Sequence, residues 1–253
     1  MKDLQANIIH NKEIATNIFE LKLQFQELPQ IVAGQFTNIK IPELFLRRPI
    51  SICDYDLNEK TIILIYKVIG EGTKCLSALE KGSTLDLLMP LGNGFQISKL
   101  EEKKPKNILI AGGGVGIPPL YNLAKTLIRA GYKPNIVLGY ATKAEVFYLN
   151  QFEALNLNFK VTTDDGSFAE KGFVTDSIKK YFPKTDYLFT CGPKPMLKAL
   201  SQLKIPDGQY SFEERMGCGF GGCMGCSIKT NTDKGYKRVC LEGPIFMQEE
   251  IVW

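Results

Sequence analysis

The sequence predicts an antiparallel β-barrel, then a doubly wound parallel-sheet α/β domain, then a small C-terminal lobe built round cysteines. Three observations carry this. Residues 1–98 alternate apolar and polar at the strand period, with turn residues at short intervals. From 107 to 200, apolar strand segments alternate with helical ones, the first pair joined by a glycine run. Four of the seven cysteines crowd into 218–240. The chain of 253 residues is therefore read as 1–98, 99–208 and 209–253.

In the first region the expected strands are 18–25, 35–41, 61–68 and 83–89, separated by Gly34, Pro42, Asn58, Gly70, Gly72 and Gly82. Many short strands at close spacing point to a closed barrel. A short helix is expected over 74–80, capped by Thr73, with Leu76 and Leu79 on one face. Inside the barrel lies Arg47-Arg48-Pro49-Ile50-Ser51. An Arg fork suits a pyrophosphate oxygen, and Ser51 offers a hydroxyl to a ring nitrogen or carbonyl. An Arg–Pro pair before a strand is by itself more often a solvated loop. Its order strengthens it: Ile65-Tyr66-Lys67 follows on a strand, then Gly72 and Thr73 at the start of a helix, where phosphate is well received.

Residues 99–106, charged and with a proline, read as a linker. A strand over 107–111 then enters Gly112, Gly113, Gly114 and Gly116 before a helix over 118–130 that Gly131 ends. Backbone amides and the helix dipole can meet a pyrophosphate there. The spacing is G-G-G-x-G-x-P, not G-x-G-x-x-G, and a tight turn alone would also use glycine. Further strands are expected at 134–141 and 159–163, with helices over 144–155 and 172–182. Residues 186–200 give strand, turn and helix, the turn being Cys191-Gly192-Pro193, with Met196 four residues past Gly192. No Arg pair follows the second strand to take a 2′-phosphate, which favours NAD over NADP. Asp164 and Asp165 are either ribose contacts or solvated loop residues.

Cys218, Cys223 and Cys226, followed by Cys240, have the C-x4-C-x2-C…C spacing of a plant-type [2Fe–2S] site. Glycines 217, 219, 221, 222 and 225 surround the first three and permit the positive φ of a tight curl. Zinc ribbons usually show two C-x2-C pairs, and here there is one. The other three cysteines, Cys53, Cys75 and Cys191, are scattered.

Composition narrows the class further. Apolar content of 44% and charge of 23% are those of an ordinary globular protein. The net charge of +4 comes without a basic run, so nucleic acid is not an expected partner. The start has no signal-peptide core, no apolar run reaches membrane-spanning length, and a cytoplasmic protein is expected. The single histidine, His10, is expected at the surface and leaves little basis for His-ligated zinc or a Ser–His–Asp hydrolase.

On Arg48-Pro49-Ile50-Ser51, Ile65-Tyr66-Lys67, Gly72-Thr73 and Cys191-Gly192-Pro193, the chain resembles the ferredoxin–NADP reductase superfamily. Adding the cysteine segment and the Gly243-Pro244-Ile245-Phe246 tail, it resembles, over its whole length, the electron-transfer subunits of class 1B dihydroorotate dehydrogenase. The resemblance implies an FAD barrel. Arg48, Pro49, Ile50 and Ser51 would hold the pyrophosphate and the isoalloxazine edge, Ile65, Tyr66 and Lys67 the ribityl and ring region, and Gly72 and Thr73 the phosphates. Cys191, Gly192 and Pro193 would face the nicotinamide, Cys191 as an element of shape and polarity, not a nucleophile. Cys218, Cys223, Cys226 and Cys240 would hold the cluster. Where the wider superfamily places an aromatic before the serine, this chain has Ile50, so a stacking ring must come from elsewhere. The resemblance further implies an FMN-containing catalytic partner with a TIM barrel, two copies of each subunit, and electrons passed to NAD+ in pyrimidine biosynthesis. No residue here is a candidate base for dihydroorotate. Phe220 and Met224 are expected to be exposed on a docking face. Other readings are a subunit of a related NADH-dependent ferredoxin–NADP or sulfide-linked oxidoreductase, a self-sufficient NADH:acceptor reductase, and a zinc-stabilised nucleotide-binding module.

Overall fold

A computed structural model describes residues 1–42 and 44–253. Six strands close a barrel: β1 (Lys2–Ala15), β2 (Ile18–Phe25), β3 (Phe36–Ile39), β4 (Arg48–Asp56), β5 (Thr61–Lys67) and β6 (Thr84–Leu91), in the order β1-β2-β5-β4-β3-β6, all neighbours antiparallel. The strand period is clearest in β6, where Leu85, Leu87, Met89 and Leu91 point inward and the residues between them do not. Leu85, Leu87 and Met89 meet Leu21, Leu23, Ile62 and Leu64 in one core, while Leu91 joins Phe36 in the cluster at the sheet. Burying each such side chain is worth about 1.5–3 kcal/mol. Helix α1 (Glu71–Ser77) follows β5. It begins three residues before the expected 74–80. Thr73 is not its cap but lies in its first turn, its Oγ1 accepting from the N–H groups of Ile69 and Gly70 at 3.0 and 3.3 Å.

Residues 99–106 are not simply a linker, because α2 (Ser98–Lys103) occupies most of them. The second sheet holds β7 (Ile108–Gly113), β8 (Asn135–Tyr140), β9 (Phe159–Thr163), β10 (Glu170–Lys171), β11 (Tyr187–Cys191) and β12 (Asp207–Ser211), all parallel, in the order β10-β9-β8-β7-β11-β12. The central strands are buried on both faces, which is why they read as unbroken apolar runs. Helix α3 (Pro118–Arg129) packs on one face; α5 (Val174–Tyr181) and α6 (Lys194–Ser201) pack on the other. The helix expected over 144–155 is broken. A 3₁₀ turn at Lys143–Glu145 and a short α4 (Leu149–Glu153) flank Tyr148, whose φ is 64°. Tertiary packing overrides the helical pattern here: the Tyr148 ring meets Tyr121 edge-on and is buried in one cluster with Ile18 and Cys53 of the barrel.

The barrel and the sheet share a core. Ile18, Cys53 and Ile65 lie in one buried cluster with Leu120, Tyr148 and Phe152. Polar pairs reinforce the seam: Lys125 Nζ reaches Asp54 at 2.6 Å, and Lys67 Nζ reaches Glu145 at 2.7 Å. His10 is half-buried on β1 and pairs with Glu20 at 2.9 Å.

The chain leaves β12, builds the cysteine lobe with the hairpin β13 (Ser227–Lys229) and β14 (Tyr236–Arg238), and returns as β15 (Ile245–Met247). That last strand adds to β12 as an antiparallel edge. The lobe is thus anchored at both ends on the sheet, and Cys226, Ile228, Val239 and Cys240 join the core cluster containing Leu188 and Leu197. Among the described residues, no helix is long and apolar enough to cross a membrane.

Candidate functional site

Barrel edge, sheet edge and cysteine lobe meet in one cleft of about 760 Å³, well within the range of ligand sites. From the barrel it is lined by Arg48, Pro49, Ile50, Ser51, Ile65, Tyr66, Lys67, Gly72 and Thr73. The sheet contributes Gly113, Gly116, Cys191, Gly192 and Pro193, and the lobe Met216 and Pro244. Every barrel residue singled out from the sequence therefore comes together with the Cys-Gly-Pro turn. Gly112 and Gly114 do not line the cleft. A Cβ on Gly112 would lie 2.8 Å from Leu120 and 2.9 Å from Ile117, so that glycine lets α3 pack close on β7.

The walls are built by close approach. Arg48 lies across the first turn of α1: a Cβ on Gly72 would sit 2.2 Å from its Nε. A Cβ on Gly116 would sit 2.5 Å from both the Cys191 oxygen and the Gly192 nitrogen, so the glycine loop and the Cys-Gly-Pro turn touch backbone to backbone. Met196 wedges beneath this turn, its Sδ 2.5 Å from a Cβ on Gly113 and its Cε 2.4 Å from one on Gly192. A long anionic ligand fits such a cleft, which Arg47, Arg48 and Arg215 line and which backbone rims at the sheet end. Ser211, Phe212 and Glu213 also line it, and no motif marks them. Ser211 ends β12 and the other two follow it, at the carboxyl end of the strand beside β11. That is where open α/β sheets receive ligands.

Burial pushes the Cys191 thiol up to about 12, against a hydrogen bond from Ser211 that lowers it. The thiol is neutral at physiological pH and shapes the cleft. Glu213 is also raised, by burial first and by Glu214 second.

In the lobe the four cysteines form two pairs: Cys218 and Cys223 each donate a backbone N–H to the other's Sγ at 3.4 Å, and the Cys240 N–H donates to Cys226 Sγ at 3.4 Å. Burial would raise the Cys218 thiol, yet N–H groups of Phe220, Cys223 and Gly222 hold it at about 6; the Gly222 N–H reaches its Sγ at 3.1 Å. Cys240 goes the other way, raised to about 12 by burial and by Cys226. Among the described residues, no three His, Cys, Asp or Glu side chains converge as one metal ion would require. Tetrahedral zinc needs all four sulfurs about 2.3 Å from one centre. Two separate pairs instead suit a binuclear cluster with two thiolates on each iron. The glycines divide their work. Only Gly219 and Gly221 have positive φ, 78° and 94°; Gly217, Gly222 and Gly225 leave room beside the sulfurs, a Cβ on Gly217 lying 3.2 Å from Cys223 Sγ. Arg238 ties the loop down, donating to the Gly221 carbonyl at 2.6 Å and pairing with Glu242. That pairing holds the Glu242 carboxyl at about 2.

Comparison with known proteins agrees with this geometry. The iron–sulfur cluster binding domain of dihydroorotate dehydrogenase B matches residues 213–252, and the oxidoreductase NAD-binding domain matches 109–202. The "Dihydroorotate dehydrogenase B (NAD(+)), electron transfer subunit" of Geobacillus sp. (strain WCH70) is 43% identical over 259 residues, covering 100% of this chain and 99% of that one. The chain belongs to the dihydroorotate dehydrogenase B electron-transfer subunit family. Its counterpart from Fusobacterium nucleatum subsp. nucleatum is 40% identical, with 99% of each chain covered. Among solved structures, a chain from the NADH-dependent reduced ferredoxin–NADP oxidoreductase, a study of flavin-based electron bifurcation, superposes with a TM-score of 0.85. It is 31% identical, and 98% of this chain and 90% of that one are covered. The ferredoxin–NADP+ reductase of Plasmodium falciparum gives 0.64 at 18% identity, covering 79% and 90%, and so shares the fold. As a member of this family, the subunit is an electron-transfer oxidoreductase whose cofactors are FAD, [2Fe–2S] and NAD.

Proposed function

We propose that this subunit passes electrons from the FMN of a dihydroorotate-oxidising catalytic subunit to NAD+, with its own cluster and FAD in between. The supporting observation is the single cleft, which the flavin-type strand, the nicotinamide-type turn and the cysteine lobe all line. Flavin, when bound, supplies the exchange between hydride, two electrons at once, and the single electrons of an iron–sulfur centre.

Arg48 holds the FAD pyrophosphate, helped by the Gly72–Thr73 turn. Pro49, Ile50 and Ser51 set the ring edge, and Ile65, Tyr66 and Lys67 line the ribityl region. Gly113 and Gly116 let the NAD pyrophosphate approach the loop. Cys191, Gly192 and Pro193 form the floor for the nicotinamide, and the neutral thiol keeps that floor uncharged. Gly112 and Gly114 act behind and beside this surface. Cys218, Cys223, Cys226 and Cys240 would hold the cluster. The absence of an Arg pair beyond β8, and Asp164 and Asp165 beyond β9, favour NAD over NADP.

In the cysteine lobe Phe220, Met224 and Leu241 are exposed, by 47%, 40% and 43%, and so is Cys223. This is the docking face for the catalytic subunit, in a cytosolic assembly of two copies of each chain serving pyrimidine biosynthesis. The 31% likeness to the ferredoxin-linked enzyme supports one alternative, a ferredoxin-coupled subunit. Co-purification with an FMN-containing dihydroorotate dehydrogenase chain, followed by assay, separates them. The pair is expected to turn over dihydroorotate with NAD+, and neither chain alone to do so. A fully loaded pair that reduces NAD+ only with ferredoxin would contradict the proposal.

A further inference from the structure

One contact between barrel and lobe has no part in the roles assigned above. Asn38 sits in the middle of β3, 1% exposed. Its backbone partner across the sheet is Pro49, within the strand assigned to FAD. Its side chain leaves the sheet on the same face as that of Pro49 and enters the lobe, where Nδ2 donates to the Cys218 carbonyl at 3.2 Å. The fit is tight: a Cβ on Gly219 would lie 2.3 Å from that Nδ2. Meanwhile the Asn38 Oδ1 is buried without a donor. An unpaired buried acceptor is a standing cost that an aliphatic side chain of the same size would avoid. The amide is therefore poorly explained as core filling.

A second amide grips the other ligand segment. Asn93, just beyond β6, donates from Nδ2 to the carbonyls of Leu241 and Glu242 at 3.0 and 3.1 Å. Its backbone N–H donates to the Gly243 carbonyl at 2.6 Å. The lobe's body rests on the sheet through β15, but the backbone at Cys218 and the backbone just after Cys240 are held by the barrel.

We infer that Asn38 and Asn93 fix the cysteine loops to the flavin barrel, and that Asn38 sets the spacing between the flavin strand and the first cysteine pair. Asn38 is a positioning residue. It touches neither reacting group but joins the strand of one to the ligand backbone of the other. The inference rests on the functional reading above. It locates control of the internal electron transfer in the barrel, not in the nucleotide domain.

The test uses the complete subunit, loaded and bound to its partner, with Asn38→Leu. Rapid mixing with NADH follows the flavin band and the cluster band separately. The expected result is an unchanged flavin phase, a cluster phase slower by about tenfold or more, and unchanged FAD, iron and sulfide content. Electron tunnelling falls steeply with distance, so a cluster that slips away from the flavin slows this phase alone. An unchanged cluster phase with all cofactors present would overturn the inference. Should the Leu variant lose its cluster, Asn38→Ser is measured in its place. Loss of iron and sulfide from both variants, FAD retained, would assign Asn38 to loop assembly and overturn the spacing role. Absence of either band from the unaltered protein would instead sink the functional reading, and this inference with it.

Discussion

Arg48 is the residue on which the flavin site turns. It lies against Gly72, and its Nη1 donates to the Leu46 carbonyl at 2.6 Å, so the fork is already held at the cleft wall. A hydrogen bond to a charged group is worth about 1.5–3 kcal/mol. Arg48→Ala is therefore expected to weaken FAD binding by about 10- to 100-fold, with the cluster's iron and sulfide unchanged. Titration of flavin-depleted protein with FAD measures this, and normal affinity would remove Arg48 from the site. At this scale the sequence was most readable where chemistry dictates spacing. The four cysteines and the arginine stood out because iron and phosphate demand particular residue types close together. Asn38 and Asn93 were invisible, since their partners lie 180 and 148 residues away. Gly112 and Gly114 fell in the glycine run, but only folding shows that one faces a helix and neither faces the cleft.

At the scale of elements, the seam between α3 and β4 holds barrel to sheet. Lys125 on α3 reaches both oxygens of Asp54 on β4, whose side chain is only 17% exposed. Lys125→Met would leave that carboxylate without its partner. The expected loss is about 1–2 kcal/mol, or about 2–8 °C in melting temperature for a chain of this size. Adding Asp54→Asn should restore part of it. A single variant that melts with the unaltered protein would mean that the pair contributes nothing to the seam. Elements were legible wherever local pattern and tertiary packing agree, as in β2, β6 and α3. β1 and β4 were missed. β1 is mostly solvent-facing and its apolar alternation is weak. β4 begins at an Arg–Pro pair whose ligand chemistry masks its strand pattern. Residues 144–155 have helical composition, yet Tyr148 adopts a left-handed conformation to pack against Tyr121 and reach the barrel. Nothing local announces that contact.

For the whole molecule, the arrangement follows from one requirement. A carrier of paired electrons and a carrier of single ones must both reach the flavin. The chain meets it by closing a barrel, laying a parallel sheet along one edge, and folding its last segment back as β15 so that the cysteine lobe stands over the same cleft. The order of the three parts was readable from strand period, βα alternation and cysteine spacing. Their convergence was not, because it rests on packing between distant segments, such as Cys53 against Tyr148. The most direct measurement is cofactor analysis of subunit purified without oxygen, followed by addition of NADH. One FAD per chain is predicted, with iron and acid-labile sulfide in equal amounts, and NADH should bleach both the flavin and the cluster absorption. Colourless protein containing zinc, with neither labile sulfide nor flavin, would contradict the account.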